Sequence, residues 1–440
     1  MRTAIGVLII GLAGMALAQD EERVTVVFVD RTINVGAEAA PAIDLYIACA
    51  PNTPGQAVTS CTMVPRPEEI ETNPWGQRIA RWSVPNLAPG EHLVARSITE
   101  ATLRPWSAPL AEALGEETIP IWVDDLYLAD GAKYALDSET IREAMAEIDA
   151  GGSDPVETIG AIFDYITEKL SYSRDGSWDS ADEVLERGTG SCSEYTFCFI
   201  ALCRAHGIPA RFAGGNARRS GANVHIDRVS HRWAEAYVRG VGWAPFDPTR
   251  SDGKTRYRRY FGKAPMNVLT LVQGDGGEES PLDWRYESYH RWEGDDARLK
   301  IHRRGWWLPT PSREVRKQVM ALARKIPRAG DTDARLAIID KAREIADPFV
   351  LPWLDDLLYQ PDVATEAAKA MRDIGGPATV VAVIDCIGRT GDLQHDERIA
   401  AFLNDWTGES LSAARTDWDG WLRTKAFSAF TKPGRLAEEK

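Results

Sequence analysis

Three residues of this chain have the types that acyl-transfer chemistry needs. Cys192 lies in Gly188-Thr189-Gly190-Ser191-Cys192-Ser193-Glu194, His231 opens His-Arg-Trp-Ala-Glu-Ala-Tyr, and Asp247 sits in Phe-Asp-Pro-Thr. A thiol, an imidazole and a carboxylate can serve as nucleophile, general base and orienting partner in attack on an amide or thioester carbonyl. Taken singly each has a blander reading, since a cysteine at a helix start is commonly structural and a strand histidine commonly a satisfied core residue. The chemistry depends on the elements that carry them.

Ser191 and Glu194 form an S-x-x-E capping box, which places Cys192 at the first helical position. A thiol there faces unpaired N–H groups and the positive end of the helix dipole, and both favour thiolate. The stripe Tyr195, Phe199, Ile200 and Leu202 carries the helix to a stop at Gly207, with Cys198 and Cys203 inside. From His231 to Val238, the residues His231, Trp233, Glu235 and Tyr237 alternate with Arg232, Ala234, Ala236 and Val238, which predicts a strand. Arg239-Gly240-Val241-Gly242 predicts a hairpin turn after it. An odd-numbered loop puts Asp247 opposite Trp233 or Glu235 on the face of His231, whereas a two-residue loop turns it away. The odd-numbered loop or a bulge is expected.

The Gly-x-Cys helix start, the run Leu-Cys-Arg-Ala-His-Gly-Ile-Pro-Ala-Arg at 202–211, His-x-Trp-x-Glu-x-Tyr and Phe-Asp-Pro-Thr together resemble the transglutaminase-like core of transglutaminases and many bacterial cysteine hydrolases. The resemblance implies a papain-like α+β fold with Cys192 as nucleophile, His231 as base and Asp247 as its partner. It implies no cofactor, and the calcium-binding segments of the animal enzymes have no evident counterpart. Tyr172 and Trp178 are upstream candidates for the family's oxyanion aromatic, with a core role the expected one for either. His290-Arg291-Trp292 repeats the look of His231-Arg232-Trp233, but no Asp-Pro hairpin follows, so His290 reads as a structural or substrate-groove residue. A zinc site from Cys192, Cys198, Cys203 and His206 is disfavoured: no C-x-x-C pair exists, and helix positions 198 and 203 diverge by about 140°. His225-x-Asp227 lacks the second cysteine cluster of a zinc deaminase. The expected activity is that of a cysteine peptidase or amidase working through a Cys192 thioester. A crosslinking acyltransferase and a non-catalytic binding protein with a retained core are the alternatives.

The first eighteen residues read as an export signal, with Arg2, an apolar run from Ala4 to Leu17 and Ala16-Leu17-Ala18 before Gln19. A secreted or periplasmic protein without a membrane span after signal removal is expected, with a retained anchor as the alternative. Export would let Cys49 and Cys61 pair as a disulfide. A net charge of −14 argues against nucleic acid as a partner. The cluster Arg256-Tyr257-Arg258-Arg259-Tyr260 is the local exception, read as a solvated loop face or an anionic-substrate contact. The expected partner is a protein or peptide substrate, cell-wall peptide included.

At 440 residues the chain is long enough for about three domains. Short alternating runs such as Val24–Val29 and Ile43–Ile47 predict an immunoglobulin-like β-sandwich over 19–118. A mixed pattern over 119–308 predicts the α+β catalytic core, opened by a helix at Asp154-Pro155 with Ile159, Ile162, Phe163, Ile166 and Leu170 inward. Beyond Pro309 helices dominate, and Arg343-Glu344-Ile345-Ala346-Asp347-Pro348 recurs as Arg372-Asp373-Ile374-Gly375-Gly376-Pro377. That repeat predicts a HEAT-like all-α region over 309–440, or an irregular bundle, with a face for a protein partner.

Overall fold

Strand 22–34 lies between two cores, and its alternation decides what each face does. In the computed structural model, which describes residues 21–113, 119–148, 154–174, 177–219, 221–250, 258–264, 266–294 and 298–424, Phe28 enters a core with Leu45, Ile47, Ala80, Trp82 and Ala95. Val27, Val29 and Ile33 join Ile98, Trp306 and Leu308 against the C-terminal helices. The strand belongs to a five-stranded antiparallel sheet in the order 225–227, 299–308, 22–34, 92–103, 56–64. A second sheet, in the order 288–291, 40–48, 78–87, 69–72, packs on the Phe28 face.

The boundaries expected at 118 and 308 do not divide these sheets. Each is completed by a strand from the end of the expected core, 288–291 or 299–308, and the first also takes in 225–227. The reason lies in two adjacent tryptophans. Trp306 and Trp307 point to opposite faces of one strand, Trp306 into the cluster shared with the helices and Trp307 into the cluster of the α+β unit. This stretch therefore joins regions instead of finishing the core. Glycine is required at 305 because a Cβ there would lie 2.5 Å from Cγ of Asn216.

In the α+β unit, helices 121–127, 139–147, 155–169, 181–187 and 192–205 precede an antiparallel sheet ordered 242–246, 231–238, 210–217, 268–274. This is the expected α+β order. Asp154 caps helix 155–169 by accepting the Val156 N–H, and Ile159, Ile162, Phe163 and Ile166 are buried. The C-terminal region is helical, and Pro348 at the first position and Pro377 at the second of two 3₁₀ turns lead into helices 351–357 and 380–385. These helices do not stand apart. Buried Arg31 pairs with Asp355 at 3.3 Å and Asp356 at 2.5 Å, Arg304 pairs with Asp355 at 2.9 Å, and Arg96 also reaches Asp356. Such an array gains little over apolar packing, but removing one partner strands a buried charge at about 3–5 kcal/mol.

Cys49 and Cys61 are free thiols, which corrects the expected disulfide. They approach across the two sheets only to hydrogen-bonding distance, and Cys61 also meets Ser97 Oγ at 3.6 Å. Cys198 and Cys203 are buried as expected, and Cys386 is buried too. The signal at 1–18 lies outside the described residues. Among the described residues no helix is long and apolar enough to cross a membrane.

Candidate active site

The helix that begins at Cys192 is fixed from its first turn. Its predecessor, helix 181–187, ends at Gly188 in the left-handed conformation (φ 73°), which turns the chain toward Ser191. The Ser191 N–H donates to Glu194 Oε2 at 2.7 Å, and Glu194, fully buried, is held from the other side by Arg187 at 2.7 Å. The helix runs Cys192–Ala205, and Gly207 follows at φ 74°. Behind Cys192 its body is buried, Phe197 and Phe199 included, so the sulfur rests on a rigid support.

The histidine and the aspartate meet through a three-residue loop. Val238 pairs with Gly242 and Ala234 with Phe246, so the register places Asp247 opposite Trp233 and on the face of His231. His231 Nε2 lies 2.6 Å from Asp247 Oδ2. The other carboxylate oxygen accepts Thr249 Oγ1–H at 2.5 Å and the Arg250 N–H at 3.3 Å. With Nε2 engaged, Nδ1 is left for the hydrogen bond that His231 makes with Cys192. The structure thus brings together the three residues singled out in the sequence.

Electrostatics follow from these contacts. Burial opposes the Cys192 thiolate, but the hydrogen bond and charge of His231, with the Arg232 N–H, hold the thiol below its ordinary range. Burial likewise opposes the His231 cation, and Asp247 followed by Cys192 outweighs it, raising the imidazole to about 9. Both shifts favour a thiolate facing an imidazolium. Asp247, buried and facing His231, is held below the usual carboxylate range.

Cys192 opens on a cavity of about 410 Å³. Tyr172 and Trp178 both line it; Tyr172 is 48% exposed and is not the core aromatic expected, whereas Trp178 is half-buried and also packs against the core cluster. Sequence reasoning missed Arg232, which is fully buried with its guanidinium over the rings of Trp178, Phe212 and Tyr286 at 4.5–4.7 Å. Strand alternation put it on the face away from His231, where nothing local announces the aromatic box around it. The cavity also takes Arg285, Glu287 and Ser288 from the loop and strand after the catalytic sheet, and Asp385 and Arg389 from the C-terminal helices.

His290 is anchored as a structural residue would be, with Nε2 2.6 Å from Thr32 Oγ1 and 3.1 Å from buried Asp30, and it also lines a second cavity of about 790 Å³. Asp227 accepts the Ala217 N–H at 2.6 Å, a loop-fixing role. Of the basic cluster, Arg258 pairs with Asp164 at 2.5 Å, while Arg256 and Tyr257 lie outside the described residues. Among the described residues no group of three His, Cys, Asp or Glu is placed to hold a metal ion.

Residues 142–248 match the family model of the transglutaminase-like superfamily, so the segment bearing Cys192, His231 and Asp247 is a transglutaminase-like domain. The uncharacterized protein YebA of Bacillus subtilis (strain 168) is 32% identical over 98 residues, which are 20% of this chain and 13% of that protein. The match thus spans a small part of that relative's length. Among solved structures, a proposed cysteine protease from Cytophaga hutchinsonii is 19% identical, with 66% of this chain and 94% of that one covered and a TM-score of 0.43. The periplasmic domain of TgpA from Pseudomonas aeruginosa is 15% identical, with 49% and 89% covered and a TM-score of 0.27.

Proposed function

We propose that the chain is a cysteine-dependent amide hydrolase with Cys192 as nucleophile, His231 as acid and base, and Asp247 as the group that orients and charges the imidazole. The observation that carries this reading is the 2.6 Å bond from Asp247 to His231, made while the same ring hydrogen-bonds the Cys192 sulfur at a helix start. The thiolate attacks the carbonyl carbon, and the carbonyl π electrons move to oxygen. When that oxyanion collapses, the C–N bond breaks and the His231 imidazolium gives its proton to the departing amine. A thioester on Cys192 remains. Neutral His231 then takes a proton from water as the water attacks the thioester, and the acid leaves as the thiolate and imidazolium are restored.

The free N–H groups of the first helical turn are the backbone donors for the oxyanion. We assign the side-chain donor to Tyr172, whose phenol is kept protonated by burial and by the adjacent thiolate. Each such donor contributes about 3 kcal/mol in enzymes of this type. Hydrolysis is favoured over crosslinking because the sequence carries no sign of a dedicated site for a second amine. We further read the protein as exported, with protein or peptide amides as substrates. Its mature N-terminus is then expected near Gln19, which intact mass of the secreted chain checks.

Trapping of the acyl-enzyme tests the reaction itself. Incubation with a peptide amide library followed by acid quench should leave an acyl adduct on the peptide containing Cys192, and Cys192→Ala should carry none. Stable incorporation of a fluorescent amine in place of water would show acyl transfer instead. Iodoacetamide labelling must be mapped by peptide, because the Cys61 thiol, bonded to Cys49, Ser97 and Thr99, is pulled down to about 6 and is a second reactive candidate.

A further inference from the structure

The walls of the Cys192 cavity carry more positive charge than their own carboxylates balance. Arg228, Arg303 and Arg304 line it and are engaged, with Asp385 at 3.0 Å, Asp30 at 3.3 Å and Asp355 at 2.9 Å. Asp385 is the wall's ionised acid, and it is already shared with Arg415 at 2.6 Å and Arg304 at 3.5 Å. The other wall acid, Glu287, accepts a hydrogen bond from Asn216 at 2.6 Å. Burial and the nearby Asp227 carboxylate raise its carboxyl to about 8, so it is neutral at neutral pH.

Among the described residues three wall arginines make no ion pair: Arg174, which is exposed, and Arg285 and Arg389. Arg285 lies over the Trp178 ring at 4.6 Å. Arg389 has its Nε buried without a hydrogen-bond partner. These last two come from separate regions, Arg285 from the loop after strand 268–274 and Arg389 from the turn after helix 380–385. A cleft with low-dielectric walls concentrates the field of such charges on whatever enters it. A guanidinium with free N–H groups is also geometrically matched to a carboxylate.

We propose that the cavity receives an acidic peptide, with Arg285 and Arg389 binding a carboxylate of the acyl donor near the amide presented to Cys192. The C-terminal helices then complete the substrate cleft. This proposal rests on the reading of Cys192 as the acylated nucleophile only for the position of the amide; the binding preference stands or falls separately.

The test uses the full chain with Cys192→Ala, so that nothing turns over. An N-acetylated, C-amidated degenerate hexapeptide library, with one position fixed as Glu or as Gln, is equilibrated with the immobilised protein and the retained peptides are sequenced by mass. The expected result is an enrichment of Glu over Gln of about tenfold or more, the range of one charge-assisted hydrogen bond. It should fall toward unity in Arg389→Gln and Arg285→Gln, survive in part in Arg285→Lys, and weaken with added salt. Equal retention of Glu and Gln peptides, or an enrichment that both Gln variants leave intact, overturns the proposal. Mapping iodoacetamide labelling at Cys192 in the unmutated protein separates the two readings: a labelled Cys192 without acidic preference sinks the cleft proposal alone, and acidic preference with an inert Cys192 sinks the catalytic one alone.

Discussion

Two histidines in this molecule are each followed by Arg-Trp, each lie in a strand, are each 7% exposed, and each face a buried aspartate. His231 meets Asp247 at 2.6 Å and a cysteine sulfur on its other side. His290 meets Asp30 at 3.1 Å and a threonine hydroxyl at 2.6 Å, with Ser288 and Arg303 closing around the aspartate. A histidine–carboxylate pair is therefore not in itself an active site. The third group decides, because only a polarisable thiol at a helix start can be held as an anion beside an imidazolium and still face a cavity.

The sharpest way to break this comparison is to exchange the outcomes. Cys192→Ala should lower amide turnover by at least about four orders of magnitude, as removal of a nucleophile does in related triads. His290→Gln should leave kcat nearly unchanged; a comparable loss there would make His290 part of the machinery. Asp247→Asn should reduce kcat by about two to four orders while sparing the fold, read by activity beside a circular dichroism melt.

On stability the ranking reverses. His290→Gln takes one of its partners from Asp30 in the dry space between the sheets, and should cost about 3–5 kcal/mol in a denaturant titration. Acid and base should also separate the two pairs. Asp30 is held at about 2, against an ordinary 3.8, by His290, Arg303 and Ser288 despite its burial, so its contribution to stability is complete above about pH 4 and is lost as pH falls toward 2. His231, raised to about 9 from an ordinary 6.5, contributes fully below about 6.5 and fades as pH rises through 9. Melting temperatures across pH in His290→Gln and His231→Gln should each lose one of these limbs. In the same His231→Gln protein, iodoacetamide labelling of Cys192 should begin at higher pH, since the cation that lowers the thiol is gone.

The smallest expected effect lies at the seam between regions. Gly305→Ala would press a methyl on Asn216, which bonds both Ser230 and Glu287, and should cost about 1–3 kcal/mol. A neutral outcome would mean that the strand of Trp306 and Trp307 can shift relative to the catalytic sheet.

Much of the site was legible because it is local. The capping box at Ser191 and Glu194 fixes where the helix begins whatever surrounds it, and the parity of the loop after Val238 fixes which face Asp247 shares. The proline-led turns at 348 and 377 and the inward face of helix 155–169 were readable for the same reason. Tyr172 was misjudged because an aromatic residue carries no local sign of whether it lines a core or a cleft. The thiols at 49 and 61 were misjudged because compartment and spacing do not fix a sulfur–sulfur distance.

The chain's own order of residues determined the helix of Cys192, the strand of His231 and the register of Asp247, since each is set by contacts within a few residues. Tertiary structure alone decided which histidine faces sulfur, where the strands at 288–291 and 299–308 are placed, and that Arg389 arrives from the far end of the chain to the wall beside Cys192. Those outcomes depend on burying tryptophans and ion pairs across hundreds of residues, a balance of packing and desolvation that no local pattern encodes.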